Sequence, residues 1–142
     1  MLADTLKTLL ASTFSYRIKA QAFHWNVEGF NFESLHEIFG EIYDDADEAI
    51  DPLAEYIRTL DEYAPGSFKR YSELSIIKDQ LKVPKAELMI SELHGDTVAL
   101  EALLVKAFAE ATDEKKDGIA NFIADRQTAH GKYRWQLGAL MK

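Results

Sequence analysis

Four side chains in this sequence have the types and spacing to hold a metal ion: His24, His36, Asp51 and Glu55. Imidazole and carboxylate donors together suit iron, and also zinc or manganese. His24 lies five residues before Gly29 and His36 seven after it. In an antiparallel hairpin of helices turning at Gly29, both histidines sit roughly 8–10 Å from the turn and can face each other. Asp51 and Glu55 are an i, i+4 pair, so their carboxylates share one helix face. At about 100° per residue, Asp51 falls only about 60° from His36 around the axis. All four residues therefore border the same side of the hairpin.

Height separates them. Asp51 lies 15 residues past His36, roughly 22 Å along a helix. One metal ion with bonds near ~2 Å cannot span that gap. Either these are two unrelated half-sites, or a second subunit closes the distance. A two-fold dimer would set the histidine end of one chain beside the carboxylate end of the other and make two equivalent composite sites. His94 and His130 have no carboxylate in a matching position and read as ordinary core or surface residues.

The elements that must position these groups are all helices. Leu2, Leu6, Leu9, Thr13, Tyr16, Ala20, Phe23 and Val27 recur at three- and four-residue steps, which predicts an amphipathic helix over about 2–27. Gly29 suits the stop and Asn31 a cap for the next helix. The second apolar line runs Phe32, Leu35, Phe39, Ile42, Ala46, Ala49, Leu53, Ile57 and Leu60, with Pro52 inside it predicting a bend near 48–52. Residues 61–83 form a long connection, with a turn at Ala64-Pro65-Gly66 and a short helix expected within 72–77. A third long helix is expected from Pro84 to about Ala111. A fourth follows from Asp113 to about Leu140, with Thr112 as its cap. No strand pattern competes, so the fold class is all-α: a four-helix bundle with one long crossover.

Composition narrows the class further. At 142 residues the chain suits a single domain, 1–142. It has no cysteine, so disulfides and thiolate metal sites are excluded. A formal net charge of −8 opposes binding to phosphate backbones and suits a protein that handles cations. The first residues lack the pattern of a secretory leader, and no apolar run approaches ~18 residues. A cytoplasmic protein is the simplest expectation.

The stretch HWNVEGFNFESLHEIFGEIYDDADEAIDPLAEYI, residues 24–57, closely resembles the signature of the Dps (miniferritin) family. In that pattern a His-Trp pair precedes a glycine. A second histidine follows twelve residues after the first, and an Asp-x-x-x-Glu comes later on helix two. His24-Trp25, Gly29, His36, Asp51 and Glu55 occupy those positions. Residues 64–77 and 125–137 resemble the family's short connecting helix and its final helix. The resemblance implies a ferritin-like four-helix bundle with a short helix between helices two and three, two-fold dimers and a hollow homododecamer. It also implies a ferroxidase centre at the two-fold interface: His24 and His36 from one subunit, Asp51 and Glu55 from the other. Fe(II) would be oxidised there, preferably by hydrogen peroxide, and stored as ferric mineral in protection against oxidative damage; zinc could occupy the same ligands.

The chain departs from the family pattern. Gly40 stands where the family usually has an aspartate, four residues after the second histidine. The site therefore loses a carboxylate. Glu41 points about 100° away, while Asp44 and Asp47 lie nearer the right face but farther along. This predicts one firm metal position and a weaker or water-completed second one. The alternative is a Dps-like shell with weakened oxidation that acts in metal binding, structure or DNA protection. Pro52, directly after Asp51, is expected to shift that carboxylate. No lysine-rich tail flanks the helices, and twelve copies at −8 each would carry about −96. Duplex DNA should be repelled. Glu37, Glu41, Asp44, Asp45 and Glu48 are candidates for mineral nucleation, and Asp113, Asp117 and Asp125 for a three-fold pore. Trp25 and Trp135 read as packing residues, with a minor reading as radical traps. The single-chain di-iron signature, two Glu-x-x-His motifs on separate helices, is matched only once, by Glu33 and His36.

Overall fold

A computed structural model describes all residues, Met1–Lys142. It contains five helices and no strand: α1 (Leu2–Asn26), α2 (Phe32–Thr59), α3 (Phe68–Leu74), α4 (Ala86–Asp113) and α5 (Asp117–Leu140). The four long helices pair as hairpins, α1 with α2 and α4 with α5. α1 packs on α4, and α3 lies against α1. The whole predicted apolar line of α1, from Leu2 to Val27, is buried. On α2 the line from Leu35 to Ile57 is buried, but Phe32 stays 41% exposed at its start. None of the helices is long and apolar enough to cross a membrane.

Most departures from the expected boundaries come from helix ends. α2 is helical throughout, Pro52 included. Ala49 and Leu53, buried on either side of it, supply packing that offsets the lost hydrogen bond. The short helix spans 68–74 rather than 72–77. Ser67 caps it, its hydroxyl accepting from the Arg70 N–H, and Phe14 of α1 packs against Phe68 and Tyr71. Ser75 leaves the helix in an extended conformation. Its hydroxyl donates to the Ile77 carbonyl and accepts from the Ile77 N–H. α4 starts at Ala86, two residues after Pro84, and Asn31 sits at the N-cap of α2 without a side-chain bond.

Thr112 is not a cap. α4 continues through Asp113 and closes with Lys116 N–H on the Ala111 carbonyl and Lys115 N–H on the Thr112 carbonyl. α2 ends the same way, with Glu62 N–H on Ile57 and Asp61 N–H on Arg58. Both are Schellman closures. Each places a non-glycine residue in the left-handed region, Lys115 at φ 58 and Asp61 at φ 63. The turn after α4 also serves α1: a Glu114 carboxylate oxygen accepts the Leu2 N–H at 3.2 Å, an anion at a helix N-terminus.

Candidate metal centre

The turn at Gly29, whose φ of 111 suits a residue without a Cβ, folds α2 back on α1 and brings the two histidines together. Their rings stack at 3.8 Å between centroids, tilted by 12°. Nδ1 of His24 lies 2.6 Å from the carbonyl oxygen of His36, and Nδ1 of His36 lies 2.6 Å from the carbonyl oxygen of His24. A carbonyl only accepts, so each Nδ1 carries the proton and donates it. With Nδ1 so engaged, Nε2 is the nitrogen of each ring left to bind a metal, which imidazole does in its neutral form. A ring N–H held on a backbone carbonyl is also the support that orients ligating histidines. The His24 carbonyl lies in the last turn of α1, where a helix leaves its carbonyls without partners. The pair thus finishes α1 while fixing both rings. Phe32 and Tyr43 bracket the stack, at 5.1 Å from His36 and 5.8 Å from His24, and the Arg17 guanidinium lies 5.6 Å over Tyr43.

Asp51 and Glu55 are exposed on α2, with no hydrogen bond or ion pair to the rest of the chain. α2 is continuous between His36 and Asp51, so the roughly 22 Å rise stands. The structure brings His24 to His36 but brings neither to Asp51 or Glu55. No three histidine, aspartate or glutamate side chains of one chain gather in an arrangement that could hold a metal. Among the weaker candidates, Asp44 is exposed and unpaired, whereas Asp47 is bound by Arg17 at 3.1 Å.

Asp45 is a correction to the nucleation group. It is held by both terminal nitrogens of Arg126 on α5, at 3.1 and 2.6 Å, inside the bundle. Burial would raise its pKa, but Arg126 outweighs burial and holds the carboxyl below the ordinary carboxylate range. His130 lies beside this pair, 2% exposed, with its Nδ1 unpartnered. Burial, followed by the Arg126 charge, lowers its pKa to about 3, so it is a neutral core histidine. Burial also raises Tyr16, whose hydroxyl pairs with Thr97 at 2.6 Å, and Tyr133, which feels the Asp45 charge as well. Glu37, Glu41, Asp44 and Glu48 remain exposed, as do Asp113, Asp117 and Asp125. Trp25 and Trp135 are not packed within the chain, being 65% and 66% exposed.

Sequence spacing suggested that the histidines could meet but missed their exchange of backbone bonds and the Asp45–Arg126 pair. An arginine on α5 and an aspartate 81 positions earlier leave no local pattern. The twelve-residue separation of the histidines across a glycine turn was the one available signal.

Known proteins agree with this architecture. The family model "Ferritin-like domain" matches residues 3–142. A DNA protection during starvation protein of Brevibacillus brevis is 29% identical, over 100% of this chain and 95% of its own. The crystal structure of Dps from Staphylococcus aureus superposes with a TM-score of 0.95 at 30% identity, covering 99% of this chain and 95% of that one. A Dps protein from Vibrio cholerae, described as a member of the ferritin-like diiron-carboxylate superfamily, superposes at 0.94 with 29% identity, over 99% and 89% of the two chains. The chain belongs to the Dps branch of the ferritin-like family, whose general role is iron storage and protection.

Proposed function

We propose that this protein is a ferroxidase and iron-storage miniferritin whose reaction centre is shared by two subunits. The observation that carries this reading is the half-site itself. His24 and His36 are fixed as a pair with both Nε2 atoms left without a partner, while Asp51 and Glu55 stand exposed and unpaired, about 22 and about 28 Å farther along α2 than His36. Two-fold pairing supplies each half with the other. Two neutral imidazoles and two carboxylates form a donor set suited to Fe(II), and equally able to take zinc.

Fe(II) is the substrate. Each of two Fe(II) ions gives up one electron, and one hydrogen peroxide takes both, breaking its O–O bond. Hydrolysis of the two Fe(III) ions gives ferric oxyhydroxide and releases four protons to solvent. The histidines bind and orient the ion, and the carboxylates offset the charge that rises on oxidation. Exposed acidic residues such as Glu37, Glu41, Asp44 and Glu48 suit nucleation where they face the interior of a twelve-subunit shell, and Asp113, Asp117 and Asp125 suit its pores. Consumption of peroxide and removal of Fe(II) protect the cell from oxidative damage.

Gly40 favours a second reading, a shell that binds metal with weakened oxidation. Stopped-flow oxidation of Fe(II) by peroxide separates the two. The first reading expects rapid turnover that His36→Ala and Asp51→Ala each abolish; turnover unchanged in both variants would rule out this site.

A further inference from the structure

Gly40, which stands where the resemblance to the family leads one to expect an aspartate, is buried directly behind His24. A Cβ at position 40 would lie 2.9 Å from both Cε1 and Nδ1 of His24 and 3.7 Å from Cγ. Separations below 3.0 Å are essentially never seen for a real Cβ, so a side chain at 40 must move the ring. The ring has little room to move. One face is stacked on His36 and Tyr43 stands near it, while the crowded Nδ1 is the atom that donates to the His36 carbonyl.

We propose that Gly40 is a positioning residue: the absence of its side chain lets the His24 imidazole seat against α2, where its Nδ1–H reaches His36 and its Nε2 stays free for metal. This rests on the shared metal site proposed above. The glycine is then more than a lost carboxylate, because its space is taken by a ligand ring. A carboxylate restored at this position cannot simply be added to the histidine pair as it stands.

The test is the apo crystal structure of Gly40→Ala together with Co2+ titration of the assembled protein, followed by the cobalt absorption bands. Gly95→Ala is the control, since a Cβ there meets nothing within 4 Å. The expected result is a displaced His24 ring, a broken Nδ1–carbonyl bond and Co2+ affinity lower by about ten-fold or more, the loss typical when the support of a ligating histidine is removed. Gly95→Ala should bind Co2+ as wild type does. A His24 ring unmoved in Gly40→Ala, or a moved ring with unchanged Co2+ affinity, would overturn the proposal. Wild-type protein that takes up no Co2+ would overturn the metal site and this role with it; that failure is separable because the ring position is read without metal. If Gly40→Ala does not fold, the double variant His24→Ala/Gly40→Ala decides. Removing the ring makes room for the Cβ, so the double variant should fold. Failure of the double variant while His24→Ala folds would place the clash elsewhere and overturn the proposal.

Discussion

Asp45 and Arg126 meet across the inside of the bundle through two hydrogen bonds of 2.6 and 3.1 Å, with 28% and 12% of their side chains exposed. Ferritin-like di-iron proteins build carboxylate–histidine sites in the bundle core. In this chain that space holds an ion pair and a neutral histidine. Removing one partner of a buried pair leaves the other charge uncompensated. Asp45→Asn should therefore destabilise the subunit by about 3 kcal/mol, read by urea unfolding at fixed subunit concentration, because assembly itself contributes to apparent stability. A loss below about 0.5 kcal/mol would show that the pair behaves as a surface ion pair.

Acid should act through the same cluster. An unfolded histidine titrates near 6.5, while His130 in the fold is lowered to about 3. Between these values the unfolded chain binds a proton that the folded chain refuses, so stability rises with pH across that window. The contribution of His130 is full above about pH 6.5 and is lost as pH falls toward about 3. Asp45, also lowered, acts in the same direction at more acid pH. His130→Gln should flatten the slope of unfolding free energy between pH 7 and 5, where one such group supplies at most about 1.4 kcal/mol per pH unit. Equal slopes in wild type and variant would remove His130 from the account.

The closures of α2 and α4 predict gains in stability. Lys115 adopts a left-handed conformation, which disfavours any residue with a Cβ by roughly 1–2 kcal/mol. Lys115→Gly relieves that strain but adds chain entropy to the unfolded state. The net expectation is a stabilisation of about 0.5–1 kcal/mol, visible as a higher thermal midpoint. A lower midpoint would mean that the lysine side chain contributes more than its backbone costs.

Much of the fold was legible because long amphipathic helices repeat their signal: the line from Leu2 to Val27 is buried as its period requires. The helix ends were less legible. Schellman closures at Asp61 and Lys115 use residues that carry no glycine mark, so Thr112 drew the boundary instead. The meeting of His24 and His36 followed from counting to Gly29. Their reciprocal bonds, and the seat Gly40 makes for His24, depend on the close approach of two backbones. A one-dimensional pattern does not record that approach. For the same reason Asp45 read as one more acid on an acidic helix.

Charge predicts the response to nucleic acid. With a formal charge of −8 per chain, the protein should not bind duplex DNA at about 150 mM salt without divalent cations. A gel-shift assay under those conditions should show free DNA throughout; a retarded band would contradict the electrostatic argument.

In the proposed reaction centre the histidines come from one subunit and the carboxylates from another. Assemblies formed from equal amounts of His36→Ala and Asp51→Ala chains put this sharing to the test through peroxide-driven Fe(II) oxidation. Each variant alone should be inactive. In the random mixture a shared site is intact only when its histidine half and its carboxylate half both come from unmutated positions, which two-fold pairing gives for about one quarter of sites. Recovery of about a quarter of wild-type activity is the predicted result, and a mixture as inactive as its parents would contradict the shared site.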